Sequence, residues 1–178
     1  DNEIEEKTLK SSFRMYDIFD IDEPFLPIPS DQLRVPIYTH LRSITTLLNS
    51  IENIFIDTSN VLFAMGPALE SAYLLLNETG GKIFIIGATL PNLGIGKLKD
   101  RGYSGGNPTD NITKTTSNKS SISMDCQDIF YKEFALKCIE SGISIEQFLS
   151  SNSNYLDIAT LSCLTNVTSG KTHYYPNI

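Results

Sequence analysis

The stretch Gly-Gly-Lys-Ile-Phe-Ile-Ile, residues 80–86, decides the fold class of this chain. It ends in an uninterrupted apolar run of strand length, which is typical of a strand covered on both faces in a parallel sheet. Gly80 and Gly81 end the helix before this strand, because glycine readily adopts the positive φ found at helix ends. That helix is predicted to begin near Gly66-Pro67, and its apolar face is formed by Met65, Leu69, Ala72 and Leu76.

Helical and strand patterns alternate on both sides of this stretch. Upstream, residues 13–19 are predicted to form a strand that runs into a Pro-rich turn. Pro36 is predicted to start a helix with an apolar stripe at Ile37, Leu41, Ile44, Leu48 and Ile51. Downstream, the predicted elements are a helix capped by Asp125, a strand at 143–149, a helix capped by Asn154 and a strand at 171–175. This alternation predicts an α/β fold, with a mainly parallel sheet and helices on both faces joined by right-handed crossovers.

Length and charge narrow the function classes. The chain has 178 residues, with 14 Lys and Arg against 21 Asp and Glu, and a formal net charge of -7. Its length suits one domain, and its 40% hydrophobic content is that of a globular protein. The acidic balance argues against a nucleic-acid-binding protein, because broad contact with phosphates needs a basic face.

Two segments depart from the globular pattern. Residues 1–12 are polar and charged, so they are predicted to be an N-terminal tail before a domain at 13–178. Residues 97–124 are rich in Gly, Ser, Thr, Asn and Lys without periodicity, which predicts a flexible insertion, either disordered or held by a partner. The basic residues of this insertion are Lys97, Lys99, Arg101, Lys114 and Lys119. They are interpreted as solvated charges, with contact to an anionic membrane surface or an acidic partner as the alternative.

The three cysteines are predicted to be core residues. Cys126, Cys138 and Cys163 are too widely spaced for a zinc knuckle or a Cys-x-x-Cys motif. The helix capped by Asp125 is predicted to bury Cys126, Ile129, Phe130, Phe134 and Cys138. Cys163 is placed in the following helix, where a small apolar side chain packs well. Unpaired core cysteines indicate a reducing compartment.

Asp20 and Asp22 are the sharpest candidates for catalysis. Two carboxylates two residues apart at the end of a strand can share Mg²⁺ and offer a nucleophile, as in phosphatases of the haloacid-dehalogenase type. Against this function, Glu23-Pro24 follows the pair where a small or hydroxyl residue is expected. No later predicted strand ends in the acidic pair that would complete the metal site. A Mg²⁺-dependent phosphatase is therefore kept as the alternative function.

The other chemical motifs are incomplete. Gly94-Ile95-Gly96-Lys97 follows a strand, but it lacks the spacing of a phosphate-binding loop and the Ser or Thr after the lysine, so a plain turn is predicted. His40 and His173 have no neighbours at a spacing that makes a zinc site or a catalytic triad. No catalytic, cofactor-binding or metal-binding residue is assigned.

Eight segments, taken in order, resemble one family. Residues 19–29, Phe-Asp-Ile-Asp-Glu-Pro-Phe-Leu-Pro-Ile-Pro, are similar to the Asp-x-Asp-x-x-Phe-Leu-Pro-x-Pro signature of the trunk domain in the cargo-selecting subunit of the COPII vesicle coat. Seven further segments follow in the family's order and at similar distances: Gly66-Pro-Ala-Leu69, Gly80-Gly-Lys-Ile83, Leu90-Pro-Asn-Leu-Gly-Ile-Gly96, Phe130-Tyr-Lys-Glu-Phe-Ala-Leu-Lys-Cys138, Phe148-Leu-Ser-Ser151, Tyr155-Leu-Asp-Ile-Ala-Thr-Leu-Ser-Cys163 and Lys171-Thr-His-Tyr-Tyr-Pro176. The resemblance covers about residues 15–178.

This resemblance implies a von Willebrand factor A-like domain without enzymatic activity. It implies pairing with the sister coat subunit through the trunk domains, and action with a small GTPase and the outer coat. It also implies binding of the export signals of cargo and SNARE proteins, at the cytosolic face of the endoplasmic reticulum, for transport to the Golgi. Asp20 and Asp22 then shape a strand end and a Pro-rich turn, and residues 97–124 become the family's variable insertion.

Parts of the family pattern are missing from this sequence. The chain is expected to begin after the trunk's first strand and its Asp-x-Ser-x-Ser metal motif, so the sheet is expected to lack that normally central strand. The family's zinc finger, β-sandwich, helical and gelsolin-like domains also lie outside it. No cofactor, cargo-binding residue or partner-binding residue is therefore carried over to this chain.

Overall fold

The computed structural model describes residues 16–101, 125–151 and 155–176, which form helices and parallel strands. The helices are α1 (Ser30–Leu33), α2 (Ile37–Phe55), α3 (Met65–Leu76), α4 (Phe130–Glu140) and α5 (Ile158–Val167). The strands are β1 (Gly81–Gly87), β2 (Ile143–Ser151) and β3 (Thr172–Pro176). The three strands lie in the order β1, β2, β3, and both pairs are parallel.

The parallel direction follows from the connections between the strands. The chain from β1 to β2 contains α4, and the chain from β2 to β3 contains α5, so each strand starts again from the same edge of the sheet. The register pairs Ile83 with Ile145, and Leu149 with Tyr174. The predicted α/β class with a mainly parallel sheet is confirmed.

The hydrophobic core lies on one face of this sheet. Every second residue of β2 is buried along the whole strand. The buried strand residues share one cluster with side chains of three helices: Met65 and Leu69 of α3, Phe134 and Cys138 of α4, and Leu161 and Leu164 of α5. Burying each large side chain of this kind contributes about 1.5–3 kcal/mol. Among the described residues, helices cover only this face of the sheet. The prediction of helices on both faces is therefore confirmed for one of the two faces.

The predicted strand at 13–19 is wrong for its described part. Residues 16–19 have no strand structure, and Phe19 is 91% exposed. Residues 13–15 lie outside the described residues. A strand needs a neighbouring strand for its hydrogen bonds, and no described strand lies beside this segment.

Two helices begin later than predicted. α4 begins at Phe130, whose amide donates to Asp128 Oδ1 at 2.9 Å, and not after Asp125. Cys126 therefore precedes the helix and is only half-buried, and Ile129 is exposed, contrary to the predicted burial of both. α5 is capped by Asp157, which accepts a hydrogen bond from the Thr160 amide at 3.2 Å. The predicted cap, Asn154, lies outside the described residues.

α2 is confirmed as a helix but contributes nothing to the core. It begins directly after Pro36 and runs for 19 residues, and none of them is buried. Its predicted apolar stripe is therefore mostly exposed: Leu48 is 61% accessible, and Ile44 is half-buried. No helix in the described ranges is long and apolar enough to cross a membrane.

Candidate interaction surface

Asp20 and Asp22 lie in an exposed turn before α1. The Asp20 carboxylate accepts hydrogen bonds from the amides of Asp22 at 3.1 Å and Glu23 at 3.3 Å, so it holds the turn closed. The pair does not follow a strand, and no group of three or more His, Cys, Asp and Glu within the described ranges is arranged to hold a metal ion. The two aspartates are therefore not assembled into the predicted phosphatase site.

The loop after β1, residues 90–98, packs closely against two helices. Gly66 at the start of α3 approaches the Ile95 carbonyl so closely that a Cβ there would overlap the oxygen. The buried Tyr131 hydroxyl donates to the Gly96 carbonyl at 2.6 Å, and burial raises the pKa of Tyr131, so the hydroxyl stays a donor. The loop is the plain turn that the sequence predicts, fastened to α3 and α4.

Arg101 and Asp157 form an ion pair beside this loop. Arg101 Nη2 and Nε lie 2.6 and 3.0 Å from Asp157 Oδ2, and the Asp157 side chain is 2% exposed. The Thr160 hydroxyl accepts from Arg101 at 2.7 Å and donates to Asp157 at 2.8 Å. The hydrogen bond to Asp157 raises the pKa of Arg101, so the guanidinium stays charged. This network ties Arg101 to the start of α5.

The start of the predicted flexible insertion is anchored. Leu98 is buried in the core, and Arg101 belongs to the ion pair with α5. The backbone of Lys99 exchanges two hydrogen bonds with the Gln127 side chain, at 2.6 and 2.9 Å. Arg101 is therefore not the solvated charge that the sequence predicts, whereas Lys97 and Lys99 are exposed. The rest of the insertion, residues 102–124, lies outside the described residues.

The second face of the sheet is partly exposed and carries both apolar and polar side chains. We call it the bare sheet face, and it is formed by Lys82, Phe84, Ile86, Ser144, Glu146, Phe148, Ser150, His173 and Tyr175. Phe84 is 60% and Ile86 84% exposed. The Phe148 ring stacks on His173 with 4.7 Å between the ring centroids. Because parallel strands are normally covered on both faces, this surface is suited to contact with other protein.

One side chain of the bare sheet face carries a fixed negative charge. Glu146 accepts from Lys82 Nζ at 3.1 Å, and its other oxygen lies 2.9 Å from His173 Nε2. The hydrogen bonds from His173 and from Lys82 hold the pKa of Glu146 below its usual range. The face therefore combines apolar rings with an ionised carboxylate.

Comparison with known proteins identifies the domain. A family model described as the Sec23/Sec24 trunk domain matches residues 3–178. The chain belongs to the Sec23/Sec24 trunk domain family. The trunk domain inferred from the eight segments is thereby confirmed.

The relatives of this trunk are protein transport proteins. Protein transport protein SEC24 of Saccharomyces cerevisiae is 44% identical over 162 residues, which is 91% of this chain and 16% of the relative. SEC24-1 of Saccharomyces uvarum is 41% identical over 169 residues, 95% of this chain and 18% of the relative. The crystal structure of the human COPII-coat protein Sec24c matches with a TM-score of 0.72 and 28% identity, over 89% of this chain and 21% of that chain. The chain thus spans less than a fifth of the length of these curated relatives.

The sequence predicted the trunk fold, but it did not predict which side chains are exposed and which are paired. It took residues 83–86 as a strand covered on both faces, whereas Phe84 and Ile86 are exposed. It took Arg101 as a solvated charge, although the guanidinium pairs with Asp157. The one available signal was an acidic residue in the first turn of a predicted helix, and nothing in the sequence connects it to an arginine 56 positions earlier.

Replacing Ile86 with Asp tests whether the bare sheet face is covered in the whole protein. We expect the free energy needed to open β1 and expose its amides to fall by about 2 kcal/mol. The reason is that the new charge would lie in an apolar contact covered by other parts of the protein. Amide hydrogen exchange on the whole protein measures this. The matched control is Leu136→Asp on the outer side of α4, for which a change below about 1 kcal/mol is expected. Equally small effects at both positions would show that the face stays in water.

Proposed function

We propose that this chain is a trunk module of a non-enzymatic COPII coat adaptor. It pairs with the sister coat subunit through the trunk domains of both proteins, and it helps to select cargo for export from the endoplasmic reticulum to the Golgi. The match of residues 3–178 to the Sec23/Sec24 trunk family carries this proposal.

The proposed adaptor acts in the cytoplasm, at the cytosolic face of the endoplasmic reticulum. There it works with a small GTPase and the outer coat, and it contacts the export signals of cargo and SNARE proteins. We propose no nucleic-acid partner for the adaptor and no cofactor bound by this chain. The names of the SEC24 relatives, which are protein transport proteins, and of the human COPII-coat protein support a role in a transport coat.

The surface chemistry supports a binding role. The bare sheet face and the stripe of α2 both expose large apolar side chains. Large exposed apolar surfaces are typical of sites that contact other proteins. The charged and hydroxyl groups that catalysis would use have other partners: Asp20 holds a turn, Tyr131 binds a backbone carbonyl and Asp157 pairs with Arg101.

The phosphatase alternative gains no support from the described residues. A nucleophilic aspartate of that class stands at the end of a buried strand, with a second carboxylate to share the cation. Asp20 is exposed and follows no strand, and one of its oxygens already accepts two backbone amides. Binding, and not phosphate release, is the activity that we expect.

A pull-down of the whole protein against the sister coat subunit from the same source tests the proposed function. Saturable binding in a one-to-one complex, without phosphate release in Mg²⁺, is the expected result. Asp20→Asn is the matched control, because it removes one charge from the exposed turn and should leave binding unchanged. A well-folded protein that fails to bind would refute the proposal. Mg²⁺-dependent phosphate release that Asp20→Asn abolishes would establish the phosphatase instead.

A further inference from the structure

β3 differs from the other two strands because it buries no side chain in the core. β1 buries Ile83 and Ile85, and β2 buries Ile145 and Leu149, on the face that the helices cover. None of the residues of β3, Thr172–Pro176, is buried, and the last three are exposed. Because burial of apolar side chains is the main favourable contribution to folding, β3 depends instead on its hydrogen bonds and polar contacts to β2.

A chain of polar groups joins β3 to β2 and to α5 on the core face. Gln147 is fully buried and lies opposite Thr172, and its Nε2 donates to the Thr172 hydroxyl at 2.7 Å. The Thr165 hydroxyl donates to the Ser162 carbonyl at 3.1 Å, so Thr172 is the donor in its 2.8 Å contact with Thr165. The chain therefore runs from the amide of Gln147 to the backbone of α5.

These contacts require one register of β3. A shift of β3 by one residue would move Thr172 to the bare sheet face and His173 to the core face, because side chains alternate along a strand. His173 would then also lose its 2.9 Å contact with Glu146 and its stacking on Phe148. The pair of His173 and Glu146 is partly exposed, and water weakens such pairs. The buried contact of Gln147 is therefore the stronger determinant of the register.

Gln147 is unfavourable for the core itself. Its Oε1 is buried and has no hydrogen-bond partner among the residues that the structure describes. A buried acceptor without a partner destabilises the folded state, whereas an apolar side chain of similar size does not. What the Gln147 amide contributes is therefore the attachment of β3.

We propose that β3 opens separately from the rest of the sheet, and that Gln147 is the residue that holds this strand in register. Local opening depends on the contacts of β3 alone, because no buried apolar side chain of this strand couples it to the core. This inference is independent of the proposed coat function, since it rests on contacts within the chain.

Amide hydrogen exchange on the whole protein tests the proposal with the variant Gln147→Leu. Leucine fills the core position but cannot bind Thr172, so the β3 amides should exchange about tenfold faster than in the wild type. The β1 amides should exchange no faster than in the wild type, because the substitution also removes the unsatisfied oxygen. Equal acceleration of β1 and β3 would overturn the proposal, since Gln147 would then support the whole sheet. Unchanged exchange of β3 would overturn it as well.

Two substitutions of Thr172 form a matched pair that leaves Gln147 in place. Thr172→Val keeps the β-branched shape but removes the hydroxyl, so the β3 amides should again exchange about tenfold faster. Thr172→Ser keeps the hydroxyl, and its β3 amides should stay within about threefold of the wild-type rate. Faster exchange in Thr172→Ser than in Thr172→Val would contradict the proposal, because the shape of the side chain would then matter more than its bond to Gln147.

Discussion

Replacing Asp157 with alanine is expected to lower the opening free energy of α5 by about 3–5 kcal/mol. The change removes the carboxylate that pairs with Arg101 at 2.6 Å and leaves a guanidinium in a largely buried position. It also removes the cap of α5, because Asp157 accepts from the Thr160 amide at 3.2 Å, and a lost cap contributes about 1 kcal/mol. Amide hydrogen exchange of α5 in the whole protein measures the effect.

The ion pair between Lys137 and Glu70, which is more exposed than the pair of Arg101 and Asp157, provides the control for Asp157. Its charged atoms lie 2.7 Å apart, but the side chains are 42% and 23% exposed. Glu70→Gln should therefore cost less than about 1 kcal/mol, because water screens the pair. Similar losses in Asp157→Ala and Glu70→Gln would show that burial of the Arg101 pair does not matter.

Replacing Gly170 with alanine is expected to lower the opening free energy of β2 and β3 by about 3 kcal/mol. The chain leaving α5 passes directly over the backbone of β2 at this position. An added Cβ would overlap the Ile145 carbonyl oxygen and lie 2.7 Å from the Ile145 carbonyl carbon. Neither atom can move aside, because Ile145 is a central residue of the paired strand. Hydrogen exchange of the β2 and β3 amides in the whole protein measures the loss.

Gly142→Ala is the matched control for Gly170→Ala. Gly142 precedes β2 with φ +65°, and an added Cβ would meet nothing within 4 Å. Only the strain of a left-handed conformation remains, which costs about 1 kcal/mol. If Gly170→Ala has no larger effect than Gly142→Ala, the close crossing over Ile145 is not a determinant of stability.

The candidate site was only partly predictable. Asp20 and Asp22 stood out as a metal-binding pair because their spacing suits a strand end, and the same spacing also suits a turn. Residues 16–19, just before the pair, do not form a strand, so the turn is the arrangement found. Whether a strand forms there depends on a neighbouring strand with which it could pair. For α4, both Asp125 and Asp128 are competent to begin a helix, and the contact of the turn with Thr160 accompanies the later start.

The sequence by itself determined the family and the order of the elements from α2 onward. The stripe of α2, the glycine pair before β1 and the apolar run of residues 83–86 are local patterns, and local patterns are set by backbone preferences and side-chain periodicity. The tertiary structure alone decided which apolar residues are covered, as Ile85 is and Ile86 is not. It also decided that Arg101 meets Asp157 and that the Gln127 amide meets the Thr160 hydroxyl. The physical reason is that these contacts join residues distant in the chain, and no local preference records which distant partner the folded chain brings near.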